Sequence, residues 1–300
     1  MRSLRSYIVT TFLRLVFKRQ KPGKLPIQKQ RDDFVKMMAR SYQPQPGVSC
    51  ATGSLGEVPG EWSRLEDHTS TRRVLYLHGG GYILGSAQAY RDLAGRLAVA
   101  AQADLFAADY RLAPEHPFPA ALEDALACYR GLISDGIPST AITIAGDSAG
   151  GGLTLATLVA LREAGDELPG AAVCLSPWSD LTASGDSMVN NKKADPMLTG
   201  PTLAFMADHY VGDQQRSDPR ISPCFAELGG LPPLLVHVGD SEILLDDARR
   251  VVEKITASGG AATLEVWKGM PHVWHMFAAL LPEGRQAITK IGGFIQAQCQ

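Results

Sequence analysis

Disulfide frameworks, metal clusters and membrane spans each leave a mark that this sequence lacks. Its five cysteines, Cys50, Cys128, Cys174, Cys224 and Cys299, are odd in number and far apart. They form no CxxC pair and no Cys/His cluster, so neither a disulfide scaffold nor a zinc site is expected. A reducing compartment, the cytoplasm, is their simplest reading. No stretch of 18 or more apolar residues occurs, which excludes an ordinary transmembrane helix. Charge of one sign is not in excess either: 29 Lys and Arg against 31 Asp and Glu leave a net charge of −2. That balance argues against a general nucleic-acid binder, which needs a basic surface to displace counterions. No internal repeat or low-complexity tract is visible.

What is present is an ordinary globular composition, 45% hydrophobic and 20% charged over 300 residues, enough to bury a large core without staples. The charge is uneven in one place, since the first 24 residues hold seven Lys or Arg and no acid. Arg2 and Arg5 precede an apolar stretch from Tyr7 to Phe17, as in a signal peptide. Arg14 interrupts that stretch, however, and Lys18-Arg19 stand where small cleavage-site residues belong, so a secretory signal is not expected. Leu4, Ile8, Phe12 and Leu15 fall on one face at helical spacing. After the Pro22-Gly23 break a second helix is predicted from about Gln28 to Ser41, and Pro44-Gln45-Pro46-Gly47 reads as a turn. Residues 1–45 are therefore expected to form cap helices, the apolar face of the first covering a pocket while its arginines stay solvated. The alternative is a helix lying in a membrane surface.

From residue 70 short apolar runs alternate with helical stretches. Strands are predicted at Arg73–His78, Asp104–Asp109, Ala141–Ala145, Ala171–Leu175, Pro233–Val238 and Thr263–Trp267, with helices between them and at the C-terminus. Such alternation specifies an α/β fold with a mostly parallel sheet flanked by helices. Residues 46–300 read as one catalytic domain. The interval 179–222 contains no clear strand and is expected as a cap insertion over one end of the sheet.

Two motifs carry chemistry. Gly146-Asp147-Ser148-Ala149-Gly150 fits G-x-S-x-G and lies between a strand, AITIA, and a helix, GGLTLATLVALREA. A nucleophile on so tight a turn takes a strained backbone conformation, and glycines two positions to either side remove side chains that would clash. The helix beyond aims its first amides at developing negative charge. GDSAGGG matches neither nucleotide-binding glycine fingerprint, so a nucleotide-binding turn is set aside. The second motif, His78-Gly79-Gly80-Gly81, directly follows the strand RVLYLH. Consecutive glycines let the backbone approach a bound ester and present the amides of Gly80 and Gly81 to its carbonyl oxygen, with Ala149 as the third donor. A merely flexible loop is the competing reading of GGG, weakened by the elbow that follows it.

With HGGG at 78–81, DYRLAPEHPFPA at 109–120 and GDSAG at 146–150, the chain from about residue 40 to its end resembles the hormone-sensitive lipase family of α/β-hydrolases, in its bacterial esterase branch. The resemblance implies an α/β-hydrolase core beneath a helical cap. It also implies hydrolysis of short-to-medium acyl esters by a Ser-His-acid triad, no cofactor or metal, and commonly a homodimer. Within DYRLAPEHPFPA, Asp109, Arg111 and Glu115 are expected to brace the loop beneath the site.

Ser148 needs a general base, and imidazole suits neutral pH. Seven histidines are candidates: 68, 78, 116, 209, 237, 272 and 275. In this superfamily the triad runs Ser, acid, His, with the His on a loop after the last strand, which selects His272. His275 is the rival and is expected inside the terminal helix. His78 is expected to order the oxyanion loop. The acid belongs on the loop after Pro233–Val238, within GDSEILLDD. Laying the family's usual DPLRDE pattern over it puts Glu242 at the catalytic aspartate's place, with Asp240 as the alternative; Asp246 and Asp247 would open the next helix. A non-catalytic receptor on this scaffold is disfavoured because serine, histidine and an acid are all present. The motifs define acyl transfer but not the leaving group, so lipase, amidase and deacetylase activities stay open.

Overall fold

The computed structural model describes residues 2–18, 22–66 and 69–299; His68, one of the histidines weighed above, lies outside them. Two helices come first, α1 (Leu4–Val16) and α2 (Ile27–Ser41). A hairpin follows, β1 (Val48–Leu55) and β2 (Val58–Leu65), then β3 (Arg73–Leu77), α3 (Ala87–Ala101), β4 (Asp104–Ala108), α4 (Ala120–Ser134), β5 (Ile142–Asp147), α5 (Ala149–Ala164) and β6 (Ala171–Leu175). A short α6 (Ser187–Asn190) and α7 (Gly200–Val211) precede β7 (Leu234–Gly239), α8 (Leu245–Ala257), β8 (Ala262–Trp267) and α9 (Pro282–Gln298).

Among the described residues eight strands form one sheet in the order β1-β2-β4-β3-β5-β6-β7-β8. From β4 to β8 every pairing is parallel, and β2 and β1 add an antiparallel edge. Because side chains alternate across a strand, each central strand feeds two cores. In β3, Leu75 and Leu77 join Ile144, Cys174 and Val236 under α4, α5, α7 and α8, while Val74 and Tyr76 join Leu105, Ala145 and Val173 under α3 and α9. This two-faced burial explains why the parallel strands read as unbroken apolar runs.

The hairpin β1–β2 is an addition to the elements predicted from sequence. β1 reads VSCATGSL and is exposed over nearly its whole length, so it carries no apolar alternation. Its two-residue turn, Gly56-Glu57, has both φ angles positive, 57° and 67°, as the twist of a tight hairpin requires.

Two expectations need correction. The apolar stripe of α1 does not cover a pocket: Leu4, Ile8, Phe12 and Leu15 are all more than half exposed. The helix buries its other side, Ser6, Val9 and Leu13. Val9 and Leu13 pack on Met270, Trp274, Leu281 and Ala287, while the Ser3 N–H and hydroxyl donate to the Glu283 carboxylate at 2.6 and 2.9 Å. A helix apolar on both sides gives a periodicity that cannot say which side faces the core. His275, in turn, lies in a 3-10 turn, Trp274–Phe277, well before α9 begins at Pro282. The left-handed Val273 (φ 47°) and the intervening loop break the helical path.

Candidate active site

The elbow has the geometry its glycines imply. β5 ends at Asp147, α5 begins at Ala149, and Ser148 between them has φ 53° and ψ −119°, a region that costs a non-glycine residue on the order of 1–3 kcal/mol. Surrounding backbone fixes that strain. The Ser148 N–H donates to the Leu175 carbonyl at 2.8 Å, and the Ser148 carbonyl accepts from Gly152 and Trp178. A Cβ at Gly150 would sit 1.9 Å from the Leu77 carbonyl oxygen, so no larger residue allows β3 and α5 to meet.

The carboxylate beside Ser148 ties the two glycine motifs together. Asp147 accepts hydrogen bonds from Tyr76 and Tyr90 hydroxyls and from the Gly79 N–H, each at 2.9 Å. Burial pushes its pKa up to about 6, against the pull of those three donors. With Gly79 so engaged, Gly80 and Gly81 carry the loop onward at φ 118° and 63°, and both line the cavity above Ser148. His78 sits beneath the loop, buried and stacked between Tyr90 and Tyr110. Its Nδ1 lies 2.8 Å from the Gly79 carbonyl, which can only accept, so Nδ1 carries the proton. Burial lowers its pKa. It braces the loop from below and is not among the residues that line the cavity above Ser148.

His272 shares the cavity with Ser148. Its Nδ1 lies 2.7 Å from Glu242 Oε2, so Nδ1 is the donor and Nε2 is left as the basic nitrogen. Glu242 is fully buried, and its second oxygen accepts from the Gly239 N–H at 2.6 Å and the Ser176 hydroxyl at 2.7 Å. Burial drives the His272 pKa down, but the bond to Glu242 and the charges of Glu242, Asp195 and Asp147 outweigh it and leave the pKa above the ordinary value. Asp240 faces elsewhere: its Oδ1 accepts the Gly269 N–H at 2.7 Å and braces the loop that carries His272. His275 pairs with His237, Nε2 to Nδ1, at 3.1 Å, and both rings are buried. Desolvation pushes the His237 pKa to about 4 and that of His275 lower than the ordinary value as well.

Several supporting residues carry no sequence signal. Ser176, at φ 48°, donates to Glu242 and accepts the Val273 N–H at 3.2 Å, linking the acid loop to the histidine loop. From the 179–222 interval, Asn191 Nδ2 donates to the Asp240 and Glu242 carbonyls. The buried Asp195 accepts from Met197, Leu198 and Ile243 amides. The 109–120 segment braces as expected. Asp109 accepts the Ala87 N–H, Arg111 pairs with Asp124, and Glu115 forms a two-pronged ion pair with Arg31 of α2 at 2.7 and 2.9 Å. That pair clamps α2 to the loop. As expected, Asp246 and Asp247 lie in the first turn of α8.

Above Ser148 opens a cavity of about 180 Å³. Phe17, Phe34, Met37 and Met38 line it from the N-terminal segment, and Met197, Leu203, Phe205 and Met206 from the 179–222 interval. Apolar walls with one polar floor suit a hydrocarbon chain whose reactive end reaches Ser148.

Known proteins share this architecture. A family described as the alpha/beta hydrolase fold matches residues 74–276. An acetyl-hydrolase of Streptomyces hygroscopicus is 46% identical over 256 residues, covering 82% of this chain and 85% of its own. An esterase of Acinetobacter venetianus is 36% identical over 258 residues, covering 86% and 85%. Among solved structures, an esterase from the bacterial hormone-sensitive lipase family superposes with a TM-score of 0.94 at 42% identity over 99% of both chains. The esterase EstE5, soaked with p-nitrophenyl butyrate, gives 0.92 at 40% identity over 99% of both.

Proposed function

This chain belongs to the bacterial hormone-sensitive lipase family of α/β-hydrolase esterases, and on that premise we propose that it is a serine carboxylesterase for short-to-medium acyl esters, working through Ser148, His272 and Glu242. The observation that carries the proposal is the 2.7 Å bond from His272 Nδ1 to Glu242, in a cavity whose floor also holds Ser148, Gly80 and Gly81. His272 Nε2 takes the Ser148 proton as the hydroxyl oxygen attacks the ester carbonyl. The amides of Gly80, Gly81 and Ala149 hold the oxyanion. The same proton passes to the departing alcohol, and a water activated by His272 then releases the acid from the acyl-enzyme. No metal or cofactor enters any step.

Residues 1–45 and 179–222 form the cap in this reading, because both supply the apolar walls. A cavity of about 180 Å³ with apolar walls favours short and medium chains. Cytoplasmic residence, supported by five free and scattered cysteines, and a homodimer belong to the same proposal. The test is turnover of p-nitrophenyl esters from acetate to palmitate. Butyrate or hexanoate is expected to give the highest kcat/KM and palmitate the lowest. No turnover of any ester by folded protein would sink the reading in favour of amide hydrolysis or binding without chemistry.

The oxyanion role of Gly80 has its own test. At φ 118° an added Cβ would stand 2.3 Å from the Leu84 carbonyl oxygen, so Gly80→Ala must displace the amides of the loop. Misplacing a donor of this kind lowers kcat by about 10²–10³-fold with little change in KM. A loss below about tenfold would remove Gly80 from the oxyanion hole.

A further inference from the structure

The outer face of α1 is a surface for which the chemistry of ester hydrolysis has no use. Leu4, Tyr7, Ile8, Phe12 and Leu15 are 54–77% exposed, and at about 3.6 residues per turn they share an arc of roughly 140°. Val9 and Leu13, on the opposite side, anchor the helix to the body. Arg5 and Arg14 border the apolar arc, one on each side, and both are exposed. The Arg5 guanidinium donates to the carbonyl of Leu280, which is itself 56% exposed. Arg14 donates to the carbonyls of Lys193 and Ala194, so the exposed Lys192 and Lys193 extend the basic border.

We propose that this face docks the protein on an anionic phospholipid surface, with α1 lying in the plane of the membrane. An apolar arc bordered by arginines is the arrangement that buries hydrocarbon in the acyl region and keeps guanidinium groups at the phosphates. The charge complements an anionic surface: the first 24 residues hold seven cations and no acid, while the whole chain is net negative. A second copy of the chain would bring the same cations against one another. The helix is fixed before it meets lipid, by Ser3 on Glu283 and by Leu13 in its pocket, so docking requires no folding of the segment. α1 also runs directly into Phe17, and Phe17 and Pro22 line the cavity above Ser148. The docked face is thus continuous with a wall of the cavity, and esters dissolved in the bilayer are the substrates it would deliver. The docking itself does not depend on the triad assignment.

The experiment is sedimentation of the full chain with phosphatidylcholine vesicles, with and without phosphatidylglycerol, at low and high salt. Wild type is expected to pellet with the anionic vesicles, less with phosphatidylcholine alone, and less at high salt. The double variants Ile8→Asp/Phe12→Asp and Arg5→Glu/Arg14→Glu should each lower partitioning at least about tenfold while keeping wild-type melting and p-nitrophenyl butyrate turnover. Wild type that stays in the supernatant, or variants that pellet as wild type does, would overturn the proposal. So would light scattering that shows a dimer abolished by Ile8→Asp/Phe12→Asp in protein that ignores vesicles, since the face would then join two copies.

Discussion

Ser148→Ala is expected to lower kcat/KM for p-nitrophenyl butyrate by about 10⁴-fold or more, and His272→Ala by a similar factor. The reasoning is geometric. At Ser148 the backbone holds φ 53° through bonds to Leu175, Gly152 and Trp178 that are all main chain, so removing the hydroxyl leaves the elbow intact. Alanine therefore deletes the attacking atom and little else, and the melting temperature should stay close to wild type. In the proposed mechanism serine and histidine act as one proton-transfer unit, so the double variant should lose scarcely more than either single variant. Additive losses would mean that the two groups work independently and would break the triad reading. Residual turnover from the oxyanion loop alone should remain measurable above the uncatalysed rate.

How much of this was legible in the chain depends on whether the constraint is local. The elbow and the triple-glycine loop could be read as tight turns because close backbone approach demands glycine at fixed spacing, as Gly150 against Leu77 illustrates. The position of His272 on a loop after the last strand, where it meets Glu242, was also legible. The braces could not be read, because their partners are far apart in sequence. Asn191 and Asp195 reach the acid loop from the cap interval, and Ser176 reaches both the acid and Val273. Each is an ordinary polar residue until the fold brings the loops together. The β1–β2 hairpin escaped because an exposed edge strand has no buried face to impose a pattern. The orientation of α1 escaped because Val9 and Leu13 offer a second apolar side, and a ledge formed by Met270, Trp274 and Leu281 decided between the two.

The acid assignment carries the second large effect. Glu242 and Asp240 lie on one loop, and sequence spacing alone does not give side-chain direction. In the structure Glu242 reaches His272, and Asp240 turns to Gly269. Glu242→Gln is expected to cut kcat by about 10³–10⁴-fold, because a neutral amide neither holds the Nδ1–H tautomer nor stabilises imidazolium. Asp240→Asn should cost less than about tenfold, through a loosened His272 loop. The pH profile separates a charge effect from a packing effect. In the proposed mechanism His272 works as a neutral base, so kcat/KM should fall as the pH drops through its pKa. Burial alone would put that limb below the ordinary histidine value, but the Glu242 carboxylate holds it above. In Glu242→Gln the opposing charge is gone while burial remains, and the acid limb should move to lower pH as kcat collapses. Asp240→Asn should leave the limb in place. If instead Asp240→Asn shifted the limb and Glu242→Gln did not, the carboxylate that polarises His272 in the working enzyme would be Asp240, reached by a rearrangement of the 239–244 loop.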